Sequence, residues 1–503
     1  MDTLDDYCER NGLDPKRTYV WICCLCVNQH RVVDSKNSSS SSQSVDFETM
    51  FKERVLGIGH VLAMMAPWSA PLYLTRIWCV FELFTANQED IDVTIVMPRA
   101  QKKEMEQALI GAEAKGINAL YEALAGTKVQ DAEASVEDDR VRILKMIEEG
   151  PGYTDLNNRV NELLRGWIAA SIHSVVERIE REREDGAGIG DLEYALFCSN
   201  VGSLFWHNGE LEKGLVMCRK SLDVYYLKLG KNHPDTAKAH SSIGLILCEM
   251  GDYGGSLKEH LTAISIRESV LGTNHPDTAA SFSNLGFLKQ MEGKLVEGLA
   301  AHRKALEIRQ QTLGLNHVDT ANSLNNCGAL LYDKALFDDA LEKYEQALVI
   351  KQTVLGDDHP DVAVLHNNIG RVQLAQGNSD GALASYNVSL AIYESILDKN
   401  HPKLATVYYD IGLLLASNGD SDKGLENFIK SMEIRKVALG EDHPATRDCN
   451  TQIQTLLDIA LDEEASIYNE GDHLDNMSLS SSLNDPNSRP MLGRQYSIAM
   501  NKF

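Results

Sequence analysis

The chain has 503 residues, 43% of them apolar and 24% charged, and 73 acidic against 48 basic side chains give it a net charge of −25. That length suffices for two or more cored domains, and so acidic a balance argues against nucleic acid or an anionic membrane as a non-specific partner. No apolar run approaches the roughly 18 residues of a bilayer-spanning helix, the start lacks a signal peptide's basic residues, and the ten cysteines follow no disulfide spacing, so a cytoplasmic protein without membrane partners is expected.

In chain order, residues 1–165 read as mixed α/β. Tyr19 to Val27 is a continuous apolar run of strand length, as in the buried strand of a parallel sheet. Asn28, Gln29 and His30 follow at the strand's end, where with Trp68 and Trp78 they are expected to line a pocket. The serine-rich stretch within 35–45 is too polar to pack and reads as a loop. A helix is expected over 47–56, a strand over 59–65, a helix over 74–84, a strand over 93–97, a helix over 101–124, an edge strand over 128–136, and helices over 138–149 and 156–180. Alternating strands and helices predict a doubly wound parallel sheet. Cys23, Cys24, Cys26 and His30 suggest a metal cluster by letter, but alternate strand residues face opposite sides, so no metal site is read there. Cys79 lacks an evident base and is not read as a nucleophile.

Within this region Arg76-Ile-Trp78-Cys79-Val-Phe-Glu82-Leu83 resembles the Trp-Cys-x-x-Glu-Leu motif of Toll/interleukin receptor (TIR) domains. The resemblance implies a TIR- or flavodoxin-like sheet, self-association through this domain, and Glu82 at the place of the carboxylate that cleaves NAD in some TIR domains. A carboxylate there would stabilise the positive charge that develops on ribose as nicotinamide leaves.

Residues 166–190 close the region with a charged helix (Val176 to Asp185) and the glycines Gly186, Gly188 and Gly190, read as an interdomain hinge. From 191 to 463 one phrase then returns every 42 residues: His233-Pro-Asp-Thr-Ala, His275-Pro-Asp-Thr-Ala, His317-Val-Asp-Thr-Ala, His359-Pro-Asp-Val-Ala, His401-Pro-Lys-Leu-Ala and His443-Pro-Ala-Thr-Arg. A constant period of this length specifies a repeat array. Pro sits well in a helix's first turn, the Leu-Gly pairs just before (such as Leu229-Gly230) end the preceding helix, and Asp suits the positive end of the helix dipole. A glycine eleven residues after each of the first five histidines (Gly244, Gly286, Gly328, Gly370, Gly412), with Gly202 in the same phase, marks a close helix-to-helix approach. A second small residue (Gly209, Gly251, Gly293, Ala335, Gly377, Gly419) marks the turn to a second helix. Each unit is therefore a helical hairpin: six pairs and a closing helix near 444–461, with 464–503 disordered. Equivalent histidines stand about a repeat apart, too far to share an ion.

The 42-residue unit, the Leu-Gly-x-x-His-Pro-Asp-Thr-Ala connector and the Asn-Asn-x-Gly phrases ending at Gly328 and Gly370 resemble the tetratricopeptide (TPR) arrays of kinesin light chains. The resemblance implies an all-α superhelical solenoid with a peptide or protein partner in its groove. Two residues before each glycine stand Asn200, Ser242, Asn284, Asn326, Asn368 and Asp410, on the face turned away from the partner helix. In the family, asparagines at this place hold a bound peptide, which carries that role to Asn200, Asn284, Asn326 and Asn368; Lys289 and Arg371 supply basic groove positions. The function expected is an interaction adaptor or scaffold needing no cofactor. The alternatives are an NAD-cleaving enzyme regulated by its solenoid, and a kinesin light chain in microtubule-based transport. The helix at 156–183 spans under four heptads, short for a motor-binding coiled coil.

Overall fold

In the computed structural model of the chain, the described residues are 7–9, 52–53, 55–57, 60–64, 76–89, 91–111, 132–133, 137–150, 152–186, 188–397, 401–441 and 443–474. Two strands, β1 (His60–Met64) and β2 (Asp92–Val96), pair in parallel with His60 opposite Asp92 and Met64 opposite Val96. They are joined by α1 (Ile77–Gln88), which buries Ile77, Val80, Phe81 and Phe84, one helical face at the spacing the 3.6-residue period requires. Glu133 lies beside the start of α1, its carbonyl accepting from the Ile77 N–H at 2.9 Å. Then follow α2 (Arg99–Ile110), α3 (Glu137–Glu149) and α4 (Gly152–Glu184). Of the doubly wound sheet expected for 1–165, these two strands are what the described residues hold; the expected strand at 19–27, with Asn28, Gln29, His30 and Trp68, lies outside them. Arg76 and Glu133 form an isolated parallel bridge, and most of the remaining described N-terminal residues are helical.

The charged segment before the glycines belongs to α4. Leu156, Val160, Leu164, Ile168, Ile172, Val175 and Ile179 recur every three or four residues and are all buried, so the charged segment is the second half of one 33-residue helix. Its stripe shares a core with Tyr194, Phe197, Val201 and Leu204 beyond the glycines. The crossing is pinned: Arg183 and Lys228 both pair with Asp191, the Arg183 guanidinium lies 4.4 Å over the Tyr194 ring, and the Gly190 N–H donates to Glu193 at 3.1 Å. The chain divides into two compact units, Met1–Ser323 and Leu324–Phe503, the first holding the N-terminal region and the first three helix pairs.

Six helix pairs follow as expected: α5 (Asp191–His207) with α6 (Leu211–Lys228), α7 (Pro234–Glu249) with α8 (Tyr253–Val270), α9 (Pro276–Met291) with α10 (Leu295–Thr312), α11 (Val318–Asp333) with α12 (Phe337–Leu355), α13 (Pro360–Ala375) with α14 (Ser379–Ile396), and α15 (Pro402–Ser417) with α16 (Ser421–Leu439). The recurring phrase is a capping device. In all six copies the histidine ring Nδ1 accepts from the backbone N–H two residues on, at 3.1–3.2 Å. The ring thus takes the place of the usual Ser or Asp cap, a contribution of about 1 kcal/mol per helix. Where the phrase keeps its threonine, the hydroxyl reaches back six residues to a glycine carbonyl, as Thr236 does to Gly230 at 3.0 Å.

Each first-helix glycine faces the residue 16 positions later: Gly202 faces Cys218, Gly244 His260, Gly286 His302, Gly328 Tyr344, Gly370 Tyr386 and Gly412 Phe428. A Cβ on any of them would stand 2.6–2.8 Å from that side chain, which is why glycine returns despite its helix penalty. The turn position holds a left-handed φ of +73° to +84° at its glycines and +55° at Ala335.

The closing helix α17 (Pro444–Leu474) runs thirteen residues past its expected end at Leu461, into the stretch from 464 expected to be disordered. Leu461 to Tyr468 holds no Gly or Pro to end a helix. Among the described residues no helix is long and apolar enough to cross a membrane.

Candidate functional site

The first helices of successive pairs touch one another, α5 with α7, α7 with α9, and α13 with α15, so equivalent residues stand in a row along their shared seam. In the unit from Leu324 onward, that seam is polar by construction. The Asn368 amide donates to the Asn325 side-chain oxygen at 3.0 Å, and the Asn367 amide donates to Asp410 at 2.8 Å. Both bonds join residues 43 apart, from three before one glycine to two before the next. Each contributes on the order of 1 kcal/mol and fixes one first helix against its neighbour.

The second rung is the chemically unusual one. Asp410 is buried, and loss of water pushes its carboxyl above the ordinary range, against the Asn367 bond and the positive charges of Arg371 and Arg435. The Asn367 side-chain oxygen and the Tyr386 hydroxyl are buried without a hydrogen-bond partner, and burial likewise raises the Tyr386 phenol. Arg371 is exposed, with its guanidinium 5.0 Å from the Tyr332 ring centre. Burial pulls its pKa down, but Asp410 and the neighbouring tyrosines more than offset this and leave it raised. The patch therefore offers a stacked cation, a deep carboxylate and two uncommitted polar atoms, the groups needed to hold a peptide backbone and one charged side chain.

The other expected groove residues divide. Asn284 and Asn326 are half-buried and make no side-chain hydrogen bond among the described residues, so their amides remain available. Asn200 does not: it donates to the carbonyls of Leu109 at 3.0 Å and Gly111 at 2.9 Å, closing the C-terminal end of α2. Its grip on backbone is the expected chemistry, but the backbone is the chain's own. Lys289 is also withdrawn, being buried and paired with Glu292 at 2.7 Å and Glu297 at 3.5 Å; its bond to Glu292 holds its pKa up. Glu82 lies on α1, half-buried and engaged by its surroundings, and Trp78 lies on the same helix. Among the described residues no three metal-binding side chains converge.

The sequence gives no groove role to Asn325, Asn367, Tyr332 or Tyr386. The first two were visible as the first letter of the two Asn-Asn-x-Gly phrases; the tyrosines are ordinary core-sized residues until the fold brings them to Arg371.

A tetratricopeptide repeat family model matches residues 235–295, 278–353 and 328–395, and a second one matches 404–445. No curated protein matches the chain. Among solved structures it is similar to BtubC (BKLC) from P. vanneervenii, at 20% identity and a TM-score of 0.40 over 46% of this chain and 94% of that one. A putative kinesin light chain from Podosopora anserina with nearly identical TPR-like repeats matches at 19% identity and a TM-score of 0.36, over 41% and 98%. The apo form of RapI matches at 14% identity and a TM-score of 0.41, over 58% and 95%.

Proposed function

With tetratricopeptide repeats matched over residues 235–395 and 404–445 as the premise, we propose that this chain is a protein-interaction scaffold whose first helices hold an extended peptide segment of a partner. The observation that carries this is the seam at Asn367, Asp410 and Arg371, where buried polar atoms stand without partners beside a stacked, exposed arginine. Buried polar groups are ordinarily bonded, so such a cluster is a poor way to build a core and a good way to build a receptor. Asn326 supplies a free amide on the same row. The described cysteines are all free, which supports a reducing, cytoplasmic setting.

The test is a photo-crosslinking side chain placed at Asn326 or Arg371, and as a control at Val349, which is exposed on the second helix α12. Partner proteins captured from cell extract at 326 and 371 but not at 349 support the reading. Capture that is equal at all three, or absent from the first two, contradicts it.

A second reading draws on the motif around Glu82 together with the parallel pair β1–β2 and α1 between them. It makes the N-terminal region TIR-like, with Glu82 cleaving NAD. NAD turnover by the full chain at high concentration, abolished by Glu82→Ala, would support it; no turnover would dispose of it.

A further inference from the structure

We infer that the N-terminal region holds a binding site for a small anionic molecule with a planar apolar part, the chemistry of a nucleoside monophosphate. A cavity of about 300 Å³ lies among the C-terminal half of β2, the first turns of α2, the middle of α4, and Tyr7. That size is at the lower end of small-molecule sites, and the carboxyl end of a parallel strand is where such sheets receive ligands. It includes neither Glu82 nor any residue of the solenoid seam.

The lining is one-sided in charge. Among the described residues, Lys102 is the one ionisable group lining the cavity besides the Tyr7 phenol, and no carboxylate lines it. Lys102 is half-buried and makes no ion pair among the described residues. In a chain of net charge −25 this is out of character: the more deeply buried lysines Lys289 and Lys351 are each bonded to a carboxylate, at 2.7 and 2.9 Å. A half-buried ammonium with no counter-charge among the described residues is a group that an anion in the cavity would pair with.

The remaining walls supply two further functions. Tyr7, Thr94, Ser171 and Ser174 place hydroxyls around the space, and two of these are oriented by one imidazole: His60 Nε2 lies 3.3 Å from the Tyr7 hydroxyl and 2.9 Å from that of Thr94. Hydroxyls held in this way suit phosphate or sugar oxygens. Trp167, half-buried in the wall contributed by α4, offers an indole against which a flat ring can lie.

The test is calorimetric titration of the full chain with adenosine monophosphate, adenosine and inorganic phosphate in turn. The site predicts a Kd below about 1 mM for the monophosphate, with adenosine and inorganic phosphate each at least about tenfold weaker. Lys102→Met should weaken the monophosphate at least about tenfold, Lys102→Arg should keep it, and Ser174→Trp, which fills the space, should abolish it. Should the variants fold poorly, reductive methylation of wild-type Lys102 read by mass spectrometry serves instead, slowed by the monophosphate and not by adenosine. No binding of the monophosphate overturns the proposal. So does adenosine binding as tightly as its phosphate, or an affinity that a folded Lys102→Met variant leaves unchanged.

Discussion

Two of the six glycine-facing positions are filled by histidines, and they make the stability of the first unit depend on pH. His260 and His302 lie flat against Gly244 and Gly286. Both ring nitrogens of His260 and one of His302 are without hydrogen-bond partners. Burial pushes both pKa values down to about 4; Glu259 offsets part of this at His260, while Arg309 adds to it at His302. Both folded-state values lie below the unfolded value of about 6.5, so between the two the unfolded chain holds protons the folded one does not. Stability is therefore complete above pH 6.5, falls as pH drops through it, and stops falling below about 4. At pH 5 the loss is about 2 kcal/mol for each histidine, or about 4 kcal/mol for the pair. The comparison is His260→Phe/His302→Phe, since Phe428 already packs over Gly412 at the same offset. Stacked repeats need not unfold in one step, so the readout is hydrogen exchange of peptides from α7 to α10, at pH 7.5 and pH 5, corrected for intrinsic rate. The wild type should lose most of this protection at pH 5, and the double variant should lose about 4 kcal/mol less. Equal losses in the two proteins would refute the reasoning.

Three further outcomes are expected. Gly370→Ala puts a Cβ 2.6 Å from the Tyr386 ring and should destabilise the second unit by about 1–3 kcal/mol, seen as a lower urea midpoint. Ala335→Gly relieves the left-handed backbone at φ +55° and should stabilise the second unit by about 1 kcal/mol, raising that midpoint; a fall would mean that the turn is not strained there. Asn200→Ala strips two bonds from the end of α2 and should speed exchange over residues 99–111 by about 1–3 kcal/mol of opening energy, leaving peptides beyond Leu324 unchanged.

The repeat array was legible because its signals are local and recur: proline and histidine at a helix start, glycine at a turn, glycine at a crossing. Even there one role was hidden, because histidine is an unusual cap and only the 3.1–3.2 Å bonds identify its ring as the acceptor. The candidate site was half legible. The side chains of Asn284 and Asn326 make no hydrogen bond among the described residues, whereas Asn200 is committed to carbonyls about 90 residues away, a pairing no periodicity encodes. Lys289 carried the charge of a groove residue, but Glu292, one turn further on, takes it inward. The N-terminal region was least legible. Its strands are short apolar runs that reveal little about sheet size, and the stripe along α4 was masked by the charged residues between its apolar positions.

The most direct test of the scaffold reading is a selection of displayed random peptides on the full chain, followed by affinity measurement of those enriched on wild type and on Asn326→Ala/Arg371→Glu. The account predicts enriched peptides whose Kd rises at least about tenfold in the variant, equivalent to about 1.4 kcal/mol or more, while peptides from α7 to α10 keep their exchange protection. Peptides that bind both proteins equally would contradict it.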